Sequence, residues 1–265
     1  MRTVRAMMIG DVVGEPGLGV LERDLPALTA ELSADFVVVN GENAAEGFGL
    51  TDATLARIFA AGADAVTSGN HVWEKRDFWP TLDSCDRLLR PANFPEGAVG
   101  RGWLLADKVG VRWLVVNLQG RDLMTPIDCP FRAFDRIIAL AAGSSPAPLV
   151  LVDFHAETTR EKESLGYHLD GRASLVAGTH THVPTADERI LPGGTAYVTD
   201  LGMTGAQDGV IGMDAAICME RSRKQVLYRM APAADSSPDG SASRVCGLIA
   251  EIDADTGRAL SVRRI

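Results

Sequence analysis

Phe36-Val37-Val38-Val39-Asn40-Gly41-Glu42-Asn43 carries an apolar, valine-rich run straight into a polar cluster. A short run of this kind, rich in β-branched residues, reads as a strand covered on both faces. The same grammar recurs along the first two-thirds of the chain. Residues 4–9 precede Gly10-Asp11, and residues 65–67 precede Ser68-Gly69-Asn70-His71. Residues 149–152 lead to His155, and residues 175–177 lead to Gly178-Thr179-His180-Thr181-His182. Between these runs, segments 20–32 and 51–61 have helical apolar spacing, with Thr51 placed to cap the second, and 131–141 resembles another helix. Strand–helix alternation predicts an α/β fold with a largely parallel, buried sheet.

In open α/β sheets ligands bind beyond the carboxyl ends of the strands, and all five polar clusters fall at such ends. Residues far apart in sequence can therefore converge. Segments 103–108 and 111–118 flank Val109-Gly110 as a hairpin. Segments 189–191, 195–198, 245–253 and 259–265 read as antiparallel strands, predicting a second sheet packed on the first. Residues 231–243, rich in Pro, Ser, Ala and Asp, read as a mobile surface loop. Residues 121–131 could line a pocket, form a lid or make a subunit contact.

With 265 residues and 46% hydrophobic content, the chain can bury one sizeable core, so one domain is expected. Its 35 acidic and 26 basic residues give a formal charge of −9, which argues against an extended nucleic-acid surface. A small anionic substrate would need local cations, and bound metal could supply them. The four cysteines form no C-x-x-C pair, and reduced thiols are expected. No leader-like segment and no run of ~18 apolar residues is visible, so a cytoplasmic protein without membrane contact is expected. A homo-oligomer is compatible with the sequence.

Four of the five histidines, His71, His155, His180 and His182, sit in the strand-end clusters. Any one alone is more often a hydrogen-bonded structural residue. Together with Asp11, Glu42 and Asn70 they form a candidate metal-ligand set. His180 and His182, at i and i+2 in an extended segment, would share one face with Cα atoms about 6.5 Å apart. Each imidazole could then approach a different ion of a pair spaced about 3.5–4 Å apart, with Glu42 bridging. This nitrogen and oxygen set suits iron, manganese or zinc. Asn43 could ligate metal, orient substrate or cap a helix. His71, directly after the proposed ligand Asn70, is expected to act as proton donor or transition-state stabiliser. Arg121, Arg160 and Lys162 are candidate phosphate or ribose contacts, although each alone is more often a solvated surface cation, and His168 reads as structural.

Taken in order, Gly10-Asp11, Gly41-Glu42-Asn43, Gly69-Asn70-His71, His155 and Gly178-Thr179-His180-Thr181-His182 resemble the motifs of calcineurin-like metallophosphoesterases. Resemblance to the YmdB-like branch is closer. It rests on Gly41-Glu42-Asn43-Ala44-Ala45, Ser68-Gly69-Asn70-His71-Val72-Trp73, His155-Ala156-Glu157 and Thr199-Asp200-Leu201-Gly202-Met203-Thr204-Gly205, and it covers nearly the whole chain. Two departures from the broad superfamily are shared with that branch: Asp11-Val12-Val13 replaces Asp-x-His, and Glu42 replaces the usual bridging aspartate.

The resemblance implies a four-layer α/β/β/α sandwich of two mixed sheets flanked by helices, forming a single domain over 1–265. It also implies a binuclear phosphodiesterase of cyclic nucleotides, 2′,3′ or 3′,5′. The two divalent or transition-metal ions would be iron or manganese, with zinc or magnesium as alternatives. One ion would take Asp11, Glu42 and His182, the other Glu42, Asn70, His155 and His180. A water held between them would have a lowered pKa and attack phosphorus in line with the departing oxygen. Competing readings are a binuclear hydrolase of amide or ester bonds and a metal-dependent regulatory or RNA-associated protein.

Overall fold

The computed structural model describes residues 2–143, 146–237 and 240–265. Its elements, in chain order, begin with β1 (Thr3–Ile9), β2 (Asp11–Val12), α1 (Gly14–Leu32), β3 (Phe36–Asn40), α2 (Asp52–Ala60), β4 (Ala65–Thr67) and α3 (Trp79–Ser84). Then come β5 (Trp103–Lys108), β6 (Val111–Gln119), α4 (Pro130–Ala141), β7 (Leu149–His155), α5 (Thr159–Leu169) and β8 (Leu175–Thr179). The last are β9 (Arg189–Ile190), β10 (Ala196–Val198), β11 (Met203–Ala206), α6 (Ala215–Lys224), β12 (Ser243–Arg244), β13 (Gly247–Asp253) and β14 (Ala259–Arg264).

The expected parallel strands are divided between two mixed sheets. One runs β14-β13-β1-β3-β4 and the other β5-β6-β7-β8-β10-β9, while a small third sheet runs β12-β11-β2. β1, β3 and β4 are mutually parallel, as are β6, β7, β8 and β10. The late strands do not build a sheet of their own, which corrects the sequence reading. β13 pairs antiparallel along the whole of β1 and carries β14 at its outer edge, while β10 joins β8 in parallel and β9 closes that edge. The reason is burial: Leu248, Ala250 and Ile252 of β13 enter the same apolar cluster as Ala6 and Met8 of β1.

Alternation along each strand feeds two cores. In β3, Phe36 and Val38 point into a cluster shared with Trp113, Val115, Leu149, Leu151 and Leu175 of the other sheet, and Phe36 stacks on Trp113 with centroids 5.0 Å apart. Val37 and Val39 face the opposite way, onto Leu18, Leu21 and Leu25 of α1 and Leu55 and Ile58 of α2. The outer face of the second sheet likewise buries Phe134 and Ile137 of α4 and Leu165 of α5. This two-sided burial is why valine-rich runs lack polar alternation.

Helix α1 starts at Gly14, six residues before the expected 20–32 segment. Pro16 falls in its first turn, where a missing N–H costs nothing. Gly17 lets the helix approach the small sheet: a Cβ there would lie 2.5 Å from the Thr204 carbonyl oxygen. The Thr51 cap is present, its hydroxyl accepting from the Thr54 N–H. The 103–118 hairpin is present too, turning through Val109 and Gly110 at φ 49° and 63°, the paired positive values of a type I′ turn. Within the expected loop 231–243, Pro232 bridges to Met213 and Ser243 enters β12, while Pro238 and Asp239 lie outside the described residues. Among the described residues, no helix is long and apolar enough to cross a membrane.

Candidate metal centre

β1, β3, β4, β7 and β8 all end on the same side of the molecule, and their exits bring together the residues singled out in the sequence. His155 stands at the centre, fully buried at the end of β7. Its Nε2 lies 2.9 Å from Asn70 Oδ1, 2.9 Å from Glu42 Oε1 and 3.0 Å from His180 Nδ1. Glu42, His155 and His180 can each offer one atom to a common ion, these atoms all lying within 4.8 Å of one another.

The partner of the other ring nitrogen decides what Nε2 can do. His155 Nδ1 is 3.0 Å from Thr179 Oγ1, and that hydroxyl donates to Asp153 Oδ1 at 2.7 Å. Asp153 is fixed in turn by Asn40 Nδ2 at 2.9 Å and Thr67 Oγ1 at 2.5 Å. With its proton committed to Asp153, Thr179 can only accept from His155, which places the imidazole proton on Nδ1 and a lone pair on Nε2. That lone pair meets the side-chain oxygens of Asn70 and Glu42 and the Nδ1 of His180. Lone pairs cannot bond one another, so a cation among them, a proton on Nε2 or a metal ion in its place, resolves the arrangement.

The same logic extends to the other histidines. His182 Nδ1 is bonded to the Ile211 carbonyl at 2.8 Å, leaving the Nε2 lone pair free to ligate. His180 presents Nδ1 to the cluster while its Nε2 lies 3.1 Å from Glu157 Oε2. Asp11 accepts from the His180 N–H through Oδ2 at 3.2 Å, and its buried Oδ1 makes no hydrogen bond. Gly69 lets this cradle close: a Cβ there would lie 2.2 Å from His155 Cδ2 and 2.4 Å from Glu42 Oε2.

Charge balance points the same way. Burial opposes charge on Glu42, yet His155 holds its carboxyl well below the usual range. Burial also opposes charge on His155, but Glu42, Asp11 and Asp153 outweigh it and raise that ring to about 9. Burial, then the neighbouring His155, pushes His180 down to about 3. Asp11 is raised, chiefly by burial. The cluster thus stabilises one positive charge among its carboxylates, a place that a metal cation can take.

The extended geometry expected for His180 and His182 does not hold. β8 ends at Thr179, and the two histidines sit at φ 100° and 65°. Left-handed backbone at two non-glycine residues costs on the order of 1–3 kcal/mol each, so the loop must be pinned. Asp200 does this: its Oδ2 accepts from the Thr181 N–H and hydroxyl at 3.2 and 2.8 Å, and from Lys162 Nζ at 2.6 Å.

Lys162, read from sequence as a solvated surface cation or else a phosphate contact, is instead a buried structural cation. Removing one member of a buried pair leaves the other charged and unpaired. Lys162→Met is therefore expected to cost about 3–5 kcal/mol of stability, read as a lowered urea midpoint; an unchanged midpoint would refute this role. Arg160 is an exposed partner of Asp122, and the Arg121 N–H donates to Glu161; neither lines the metal cavity, nor does any other residue of 121–131.

Asn43 does not cap the next helix, α2, which Thr51 caps; its backbone carbonyl instead accepts the first N–H of α1, from Gly14 at 2.9 Å. It lies in the turn after Glu42, its Nδ2 donating to the Gly47 carbonyl at 2.9 Å and its buried Oδ1 having no partner. That free acceptor keeps the metal and substrate readings open. His71 donates its backbone N–H to Glu42 Oε2 at 3.2 Å, and its Nδ1 lies 3.1 Å from Glu74 Oε1. Its Nε2 has no hydrogen-bond partner among the described residues. His71, Glu42, Asn43, His180 and His182 line one cavity of about 490 Å³. His168 is bonded to Asp135 and lies away from this cavity. Sequence reasoning missed Asn40, Asp153, Thr179 and Glu74 as supports; Asn40 and Thr179 stand in the quoted strand-end runs and Asp153 directly after one, the only signal that could have found them.

Two mixed sheets with a buried histidine–carboxylate group at their strand ends define a mixed α/β protein of metal-binding type, a fold it has in common with solved phosphatases. The chain belongs to the family described as YmdB-like protein, whose profile matches residues 7–265. A Bacillus subtilis (strain 168) protein named 2′,3′-cyclic-nucleotide 2′-phosphodiesterase is 44% identical over 262 residues, 99% of this chain and 96% of that protein. A crystal structure of a hypothetical protein from Thermus thermophilus matches with TM-score 0.89 and 38% identity, covering 99% of this chain and 98% of the other. A crystal structure described as a novel phosphatase, from Mycoplasma pneumoniae, matches with TM-score 0.90 and 30% identity, covering 100% and 93%.

Proposed function

We propose that this chain is a metal-dependent phosphodiesterase of cyclic nucleotides, working as a single metallophosphoesterase domain over 1–265. The observation that carries the reading is the convergence of Glu42, Asn70 and His180 on the His155 Nε2 lone pair, beside a cavity that also holds His71. Identity of 44% to a protein named as a 2′,3′-cyclic-nucleotide phosphodiesterase supports the substrate class. Packing of two sheets face to face with helices outside both supports a four-layer α/β/β/α arrangement.

In this reading Glu42, Asn70, His155 and His180 would hold one ion, and Asp11, His182 and Glu42 would hold a second. Iron or manganese suits the mixed oxygen and nitrogen donors. Bound there, the metals would neutralise phosphate oxygens and lower the pKa of a water. The chain's own groups do the rest. Thr179 and Asp153 keep His155 in the ligating tautomer, and Glu157 orients His180. Glu74 accepts from His71 Nδ1–H, so it is the imidazolium form that delivers its Nε2 proton to the departing ribose oxygen as that oxygen's bond to phosphorus breaks, leaving the ring neutral.

The test is substrate preference. Metal-loaded protein should hydrolyse a 2′,3′-cyclic nucleotide and a generic phosphodiester with higher kcat/KM than a phosphomonoester. A clear monoesterase preference would remove the cyclic-nucleotide assignment.

A further inference from the structure

Resting on the phosphodiesterase reading, we propose that the site continues past His71 into a nucleoside-binding lobe walled by Phe48, Tyr228 and Met230, with Arg221 at the junction as the chain's own phosphate-recognising cation. The metal-side cavity and a neighbouring cavity of about 660 Å³ share Phe48, His71, Arg221 and Met230, so the two are halves of one trough. The metal-side lobe holds Glu42, His180 and His182, whereas the second, lined also by Glu46, Glu74, Lys75 and Arg229, adds the aromatic Tyr228. A ligand with a phosphate at the metal end and a flat ring with polar edges at the other matches that arrangement.

Two side chains carry the assignment. Tyr228 is 37% exposed, on a segment without helix or strand that follows α6. Unlike a core aromatic, it lines the trough part-exposed, and Phe48 supplies a second ring, packed edge-on to His71 with centroids 4.9 Å apart. Base–aromatic stacking of this kind is largely indifferent to base identity. Arg221 is half-buried on α6 and has no carboxylate partner among the described residues, although Arg223 and Lys224 on the same helix both pair with Glu220. In a chain of formal charge −9, a guanidinium left unpaired beside a metal cluster is a forked donor awaiting an anion. Helix α6 buries none of its residues fully and meets the small apolar cluster of Val13, Met203 and Met213 through Cys218, which leaves Arg221 at the trough.

The test compares metal-loaded full-length protein with its variants on 2′,3′-cyclic AMP and on methyl 4-nitrophenyl phosphate, a diester without a nucleoside. Tyr228→Ala should raise KM for the cyclic nucleotide roughly 10- to 100-fold, and raise it several-fold less for the methyl diester. Tyr228→Phe, which keeps the ring, should restore the lower KM. Arg221→Gln should raise KM for both substrates, because both carry the phosphate. Equal penalties from Tyr228→Ala on the two diesters, or no KM change with metal content retained, would overturn the lobe. Calorimetric titration with adenosine decides it independently of turnover. Adenosine bound by the natural protein and lost in Tyr228→Ala supports the lobe even if cyclic-nucleotide hydrolysis fails, in which case only the reaction assignment falls. No adenosine binding up to its solubility limit overturns the lobe even where hydrolysis stands.

Discussion

His155→Ala is expected to empty one metal position and to lower kcat by at least about 10³-fold, the equivalent of several kcal/mol of metal-supplied charge stabilisation in the transition state. The geometry makes this residue the hub. Three ligand atoms lie within 3.0 Å of its Nε2, and its Nδ1 is tied through Thr179 to Asp153. Alanine removes the nitrogen that lies nearest the buried Glu42 carboxylate. Elemental analysis should find close to two transition-metal ions per chain in the natural protein and about one in the variant. Asp11→Ala should deplete the other position instead. Thr179→Ala keeps every ligand but frees the His155 ring, and should weaken metal affinity roughly 10- to 100-fold. Active His155→Ala protein with a full complement of metal would overturn the ligand assignment.

His71→Ala is expected to do the opposite: both metals and the fold remain, while kcat falls roughly 10²–10⁴-fold, the range for a positioned acid or base. The contact that His71 makes with Glu42 comes from its backbone N–H, which alanine preserves. Only the imidazole held by Glu74 is lost. A nitrophenolate leaving group needs little protonation, whereas a ribose alkoxide needs much, so the loss should be larger on the nucleotide. Equal losses on both substrates would assign His71 to charge stabilisation or positioning rather than proton donation. Metal loss in the variant would make it a ligand or a ligand's support.

How much of this was written in the sequence follows from the range over which each signal acts. Phe36-Val37-Val38-Val39 read as a doubly buried strand because the cause is local: each valine must face apolar neighbours whichever way the pleat turns it. The Thr51 cap and the Val109-Gly110 turn were legible for the same reason, since both depend on a few adjacent residues. Asp11, Glu42, Asn70, His155, His180 and His182 could be singled out because strand exits expose polar residues at one end of a sheet. Other features had no local cause.

Only tertiary packing decided that the parallel strands divide between two sheets and that β13 pairs beside β1, because complementary apolar faces choose partners across the whole chain. Packing also decided that Lys162 is a buried partner of Asp200 and not a surface contact. The same buried pair, through Asp200, holds the Thr181 N–H and hydroxyl and so keeps His180 and His182 in a left-handed backbone. By itself, then, the sequence determined which residue types stand at the strand ends. Their distances, tautomers and pinned loop came from the fold, because a buried charge or strained turn persists only where distant groups supply its partners.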